Sequence, residues 1–143
     1  MSAIRHGGAA GGAAATLHVF LNANLFQGID YFLDITGFDT ALLETDILIT
    51  GEGSIDLQTL NGKGPYGVAT RARKKGMIVI GLAGAIPLGI KKELSVYFDS
   101  LFAIGHQPED PATALKNTFA NLERTAMQIG ILLDLSRNRN VRR

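Results

Sequence analysis

Residues 50–63 run Thr50-Gly51-Glu52-Gly53-Ser54-Ile55-Asp56-Leu57-Gln58-Thr59-Leu60-Asn61-Gly62-Lys63, directly behind the apolar run Asp46-Ile47-Leu48-Ile49. Two carboxylates, a lysine and several glycines in one short stretch suit the handling of phosphate. Glycine lacks Cβ and tolerates positive φ, so a glycine-rich backbone can approach a phosphate closely. Glu52 and Asp56 stand four positions apart, a spacing that can share a helix face or flank a metal-bound phosphate. Lys63 would add a point charge on a flexible stem. The plainer alternative is a strand-to-helix turn that carries two solvated acids and a surface lysine.

The position of this stretch favours chemistry. In α/β folds ligands bind just beyond the C-terminal ends of parallel strands, and Asp46–Thr50 reads as a buried strand by composition, with a glycine-rich loop after it. Gly64-Pro65 breaks the chain before a helix over Tyr66–Lys75, closed by Gly76. Arg71, Arg73, Lys74 and Lys75 crowd the end of that helix, where cations complement its dipole. This explains the charge run without nucleic acid. Met77–Ala83 is a second strand, apolar without alternation as a parallel sheet requires, and Gly84-Ala85-Ile86-Pro87 is the loop after it. Leu88–Leu94 reads as a short helix, Asp99–Ile104 as a third strand ending at Gly105-His106, and Ala112–Leu135 as one long amphipathic helix carrying Leu115, Phe119, Leu122, Ala126, Ile129 and Leu133. Ser136–Arg143 is polar and basic and reads as a frayed tail.

Before Leu43 the pattern differs. Gly7–Gly12 is a glycine-alanine loop that opens a helix over Ala13–Asn24. Its N-terminus could offer N–H groups to an anion, or its small residues could serve close packing. Ile29–Ile35 fits strand or helix equally, and Asp39 is placed to cap a helix over Thr40–Glu44.

The chain has 143 residues, 46% of them hydrophobic, with a formal net charge of +1. That suits one globular unit and argues against disorder and against a dedicated nucleic-acid surface. There is no cysteine, which excludes disulfides and thiolate metal sites. Met1–Gly12 lacks the apolar core of a signal peptide, and no apolar run is long enough for a membrane span. A cytoplasmic address is the expectation. His6, His18 and His106 have no metal-ligand spacing, although His106 at a strand end could join a site. Gly62-Lys63 is not a Walker-type loop, and no Gly-x-Ser-x-Gly elbow is present.

The stretch Thr50-Gly51-Glu52-Gly53-x-Ile55-Asp56-x-Gln58-Thr59-x-x-Gly62-Lys63-x-Pro65-x-Gly67-Val68-Ala69 resembles the signature of the bacterial glycerate kinase family. The likeness extends to Gly8-Ala9-Ala10-Gly11-Gly12, Gly37-Phe38-Asp39 and Val79-Ile80-Gly81-Leu82-Ala83-Gly84, and so covers nearly the whole chain. Ser54 and Ala14 depart from it, at positions where the family usually has arginine and glycine.

The resemblance implies a two-domain enzyme that phosphorylates glycerate with ATP and Mg²⁺. It implies that Glu52, Asp56 and Lys63 are catalytic, with Glu52 and Asp56 the candidate Mg²⁺ ligands, directly or through water. It implies that Gly11, Gly12, Gly51, Gly53, Gln58 and Thr59 bind nucleotide or substrate, without dividing the roles among them. The family's N-terminal motifs are missing, so the chain looks like the C-terminal part of such a kinase. The expected fold is a Rossmann-like α/β parallel sheet with flanking helices over 45–135, incomplete relative to the family. Residues 1–44 would be a segment of the family's second, inserted domain, and 136–143 a basic tail. The expected partners are glycerate and either a second copy or the missing N-terminal chain, with no nucleic acid and no membrane. A non-catalytic assembly subunit, or a Rossmann-like binder of another phosphorylated ligand, are the alternatives.

Overall fold

Parallel strands buried on both faces need apolar residues at consecutive positions, and the two apolar runs Ile47–Ile49 and Ile78–Ala83 meet that need side by side. In the computed structural model, which describes residues 4–89 and 92–141 (137–141 by backbone alone), they are the starts of strands β1 (Ile47–Ser54) and β2 (Ile78–Ala85). A third strand, β3 (Ser100–Ala103), completes a parallel sheet of order β1-β2-β3. Before the sheet come helices α1 (Ala13–Leu21), α2 (Gly28–Ile35) and α3 (Phe38–Ala41). Helix α4 (Gly64–Lys74) joins β1 to β2, α5 (Lys92–Ser95) lies between β2 and β3, and α6 (Pro111–Lys116) and α7 (Thr118–Val141) follow. The α/β class and the parallel sheet are as the sequence implies.

Alternation along β2 divides the interior into two cores. Val79 and Ala83 face a cluster with Ile55, Ala69, Ala72, Leu94 and Phe98, on the α4 and α5 side. Ile80 and Leu82 face the other way, onto Ile104 and Ile129, with Ile47, Phe102 and Leu133 packed around them. Strand β1 has β2 on one side only. Among the described residues no helix is long and apolar enough to cross a membrane.

Several boundaries differ from the sequence reading, each for a local reason. Strand β1 does not stop at Thr50. Its pairing with β2 continues to Ser54↔Ala85, so Gly51 and Gly53, read as loop, lie in the strand, as do Gly84 and Ala85. Gly64 and Pro65 are the first turn of α4 rather than a break before it, since proline at a helix start lacks only a donor that would go unused. Asp39 is not a cap. Gly37, at φ 67°, stands before α3, and Asp39 lies within it and accepts from Arg71. The ambiguous Ile29–Ile35 is helical.

The long C-terminal helix is two helices. Asn117 leaves helical geometry at φ −88°, ψ 1°, and its amide donates to Glu109 Oε2 at 2.9 Å. Asp110 caps α6. Its Oδ2 accepts from the Thr113 hydroxyl and its Oδ1 from the backbone N–H groups of Thr113 and Ala112. These bonds hold its carboxyl below the usual range. The buried seam of α7 is Asn121, Thr125 and Ile129, one residue per turn. Leu115 and Phe119, expected on the covered face, are each 77% exposed. Helix α7 also continues to Val141, past Ser136, where the sequence suggests fraying.

Candidate functional site

The motif folds back on itself at the end of β1. Ile55 N donates to Ala85 O at 3.1 Å and so holds the chain against β2 just past the strand. Asp56 then starts a turn. Its Oδ1 accepts from Gln58 N at 2.7 Å, and its own N–H donates to Thr59 Oγ1 at 3.2 Å. The turn carries Thr59 into the interior, where it is 0% exposed. From there Thr59 Oγ1 donates to Glu52 Oε2 at 3.3 Å, and Lys63 Nζ lies 3.4 Å from Glu52 Oε1. Glu52, Thr59 and Lys63 therefore form one cluster, although they span strand, turn and helix start. Both charged side chains remain partly open to solvent. A pair of this kind contributes about a kcal/mol or less to stability, so the fold does not depend on it.

The strand ends border a cleft of about 740 Å³. Gly51, Gly53 and Gly84 line it from the sheet, Leu115 and Leu122 from the helices. None of the three glycines has positive φ. What Gly51 and Gly84 need is close strand approach. A Cβ on Gly51 would stand 2.9 Å from Leu82 O, and one on Gly84 would stand 2.9 Å from Gly53 O. Gly53 has open space where a Cβ would be.

The other expected site residues are distributed elsewhere. Asp56 and Gln58 line a smaller cavity of about 260 Å³ with Pro87 and Gly89, and do not line the cleft. Glu52 and Asp56 therefore do not share a helix face. Gly11 and Gly12, at φ 67° and 95°, lie in the turn before α1, with Gly12 at its N-cap, and do not line the cleft either. No group of three or more His, Asp or Glu side chains placed to hold a metal occurs among the described residues.

Sequence reasoning missed Glu109 and Asn121, two polar residues in the cleft wall. The Glu109 side chain is only 8% exposed; it accepts from Asn117 and, at 3.4 Å, from Asn121 Nδ2. His106 Nδ1 lies 3.9 Å from Glu109 Oε1, so His106 stands behind the cleft wall without lining it. The available signal was an acid a few residues past a strand end; Asn121 carried none, being one polar residue on a helix.

The N-terminal segment is fixed to this layer through α4. Arg71 reaches Asp34 at 2.7 Å, Asp39 at 3.0 Å and the Asp30 carbonyl at 3.0 Å. The hydrogen bond to Asp34 is the main reason its pKa is raised above the ordinary value.

The model of the glycerate kinase family matches residues 1–134. The glycerate kinase of Bacillus subtilis is 37% identical over 130 residues, which is 91% of this chain and 34% of that protein. That of Neisseria meningitidis is 36% identical over 132 residues, 92% of this chain and 35% of that one. The glycerate 2-kinase of Escherichia coli is 35% identical over 130 residues, 88% of this chain and 33% of that one. A solved structure of a candidate glycerate kinase 2 from Salmonella typhimurium superposes with a TM-score of 0.68 at 36% identity, over 92% of this chain and 33% of that one. The chain thus spans about a third of the length of these relatives, and over that third it belongs to the glycerate kinase family.

Proposed function

We propose that this chain is the C-terminal part of an ATP-dependent glycerate kinase and carries part of its phosphoryl-transfer site. The observation that carries the reading is the Glu52–Thr59–Lys63 cluster beside a cleft at the C-terminal ends of β1 and β2. Phosphoryl transfer is catalysed mainly by positioning and by charge around the moving group. Glu52 lines the cleft, is held by Thr59, and brings the Lys63 cation up behind it at 3.4 Å. Gly51 and Gly53 leave the backbone of the cleft floor bare of side chains. Glu52 offers hard oxygen donors in the cleft, whereas Asp56 opens on the smaller cavity. Mg²⁺ is commonly held by one or two carboxylates plus phosphate oxygens, so a cage of three acids is not required. When bound, Mg-ATP supplies the phosphoryl group for a glycerate hydroxyl. Residues 1–44 then belong to the inserted domain and 45–135 to the Rossmann-like part.

A coupled assay of ADP release tests this reading. The chain alone should turn over little glycerate, and addition of the N-terminal portion that its relatives carry should raise the rate. Equal rates with and without that portion would count against a shared cleft.

A second reading, an assembly subunit that needs another chain, is favoured by the surface. Strand β1 is an edge, and its Ile49 and the Leu122 that shares the cleft wall with it are exposed. Parallel strands are ordinarily covered and paired on both sides. We expect the purified chain to scatter light as more than a monomer and to bind a hydrophobic dye. A clean monomer that leaves the dye dark would contradict this.

A further inference from the structure

A second cavity, of about 380 Å³, lies where the N-terminal segment meets α4, and the kinase reading makes no use of it. Arg5, Gln27 and Asp30 line it from one side, and Asn61, Thr70 and Lys74 from the other. Its two walls are seated closely on each other. A Cβ on Gly62 would overlap the Gln27 amide, and one on Gly67 would overlap Ile29 Cγ1.

Three features of the lining favour a negatively charged ligand. Arg5 and Lys74 form no ion pair among the described residues, so two cations face the space without a counter-charge of their own. The lining holds a single carboxylate, Asp30, 3.8 Å from Arg71, which also pairs with Asp34 and Asp39 and so offsets it only in part. The third feature is Thr70. Several threonines in or at the ends of helices satisfy their hydroxyls by donating to the carbonyl four residues back, as Thr16 does to Gly12, Thr36 to Phe32, Thr118 to Ala114 and Thr125 to Asn121. Thr70 does not. Its Oγ1 is buried without a partner, and Thr70 lines this cavity. A buried hydroxyl without a hydrogen bond costs roughly 1–3 kcal/mol, a cost that an acceptor in the cavity would remove.

We propose that this cavity binds a small phosphate-bearing anion. Arg5 and Lys74 meet the charge of the dianion, and Thr70 Oγ1 donates to one of its oxygens. The cavity is at the small end of the range for ligand pockets, about 300–1,000 Å³. Inorganic phosphate or a short phosphomonoester suits it better than a nucleotide. Because both walls contribute, the bound anion would strengthen the seat of the N-terminal segment on α4. Lys63 is not part of this lining, and its ammonium lies on Glu52, so the two sites are separate.

Calorimetric titration of the 143-residue chain at fixed ionic strength tests the proposal, with inorganic phosphate and glycerol phosphate as probes. Saturable binding is expected. Lys74→Ala should weaken it at least about tenfold, as loss of one charge-assisted contact does, and the near-isosteric Thr70→Val should weaken it severalfold. Lys63→Ala should leave it unchanged. Tighter binding of glycerol phosphate would assign the site to a phosphomonoester, and tighter binding of phosphate to the free ion. Heat that does not saturate, or an affinity untouched by both cavity variants, would overturn the proposal. If Lys74→Ala does not fold, amide shifts of the wild-type chain decide. Changes at Gly62, Gly67 and Thr70 on adding phosphate support the site, and changes confined to Gly51–Gly53 refute it.

Discussion

Lys63→Ala and Glu52→Gln, introduced into this chain and assayed with the N-terminal portion supplied, should each lower glycerate-dependent turnover at least about a hundredfold, the loss typical of one preorganised charge contact. Lys63 Nζ and Glu52 Oε1 are 3.4 Å apart and both partly solvated, so the melting temperature should barely move. Asp56→Ala should behave differently. Asp56 Oδ1 closes the turn that carries Thr59 inward, so its removal should cost stability as well as turnover. A Lys63→Ala protein that melts early yet keeps its rate would make the cluster structural.

Ile55→Ala is expected to have the largest effect on stability. Ile55 stands between Glu52 and Asp56 in the motif, yet it is 0% exposed and packs in the core on the α4 and α5 side. Its truncation should cost about 2–5 kcal/mol, and Ile55→Val about 0.5–1.5 kcal/mol. Against a total of roughly 5–15 kcal/mol for a folded domain, the first variant approaches unfolding. Leu88→Ala, at a fully exposed leucine, is the control and should be silent. Denaturant melts that rank Ile55→Ala with Leu88→Ala would mean that this core does not hold the motif.

Much of the fold was legible along the chain because its signals are local. Ile47–Ile49 and Met77–Ala83 are apolar without alternation, as strands of a parallel sheet are. Val79–Ala83 is buried at every position, while Ile49 on the edge strand is 50% exposed. Gly76 takes φ 73° just past α4, as a glycine in that place commonly does. The site motif was legible as a string of residue types, and Glu52 with Lys63 did come together. Of the expected charged residues only Glu52 lines the cleft; Lys63 and Asp56 do not, nor does Gln58.

What the sequence could not decide depended on partners distant in the chain. Whether β1 ends at Thr50 or Ser54 is set by β2, with which pairing continues to Ser54↔Ala85 and whose Leu82 carbonyl leaves no room for a Cβ at Gly51. The break at Asn117 follows from Glu109, eight residues back, which accepts from the Asn117 amide and stops one helix from being continuous. The seam of α7 runs through Asn121 and Thr125 rather than through its leucines, because burial follows what the sheet presents and hydroxyls can be satisfied within the helix. Residue types and spacing by themselves fixed the class of fold and named the candidate chemistry. Only the tertiary structure decided which of those residues share a cleft, since that depends on contacts between segments that no local pattern encodes.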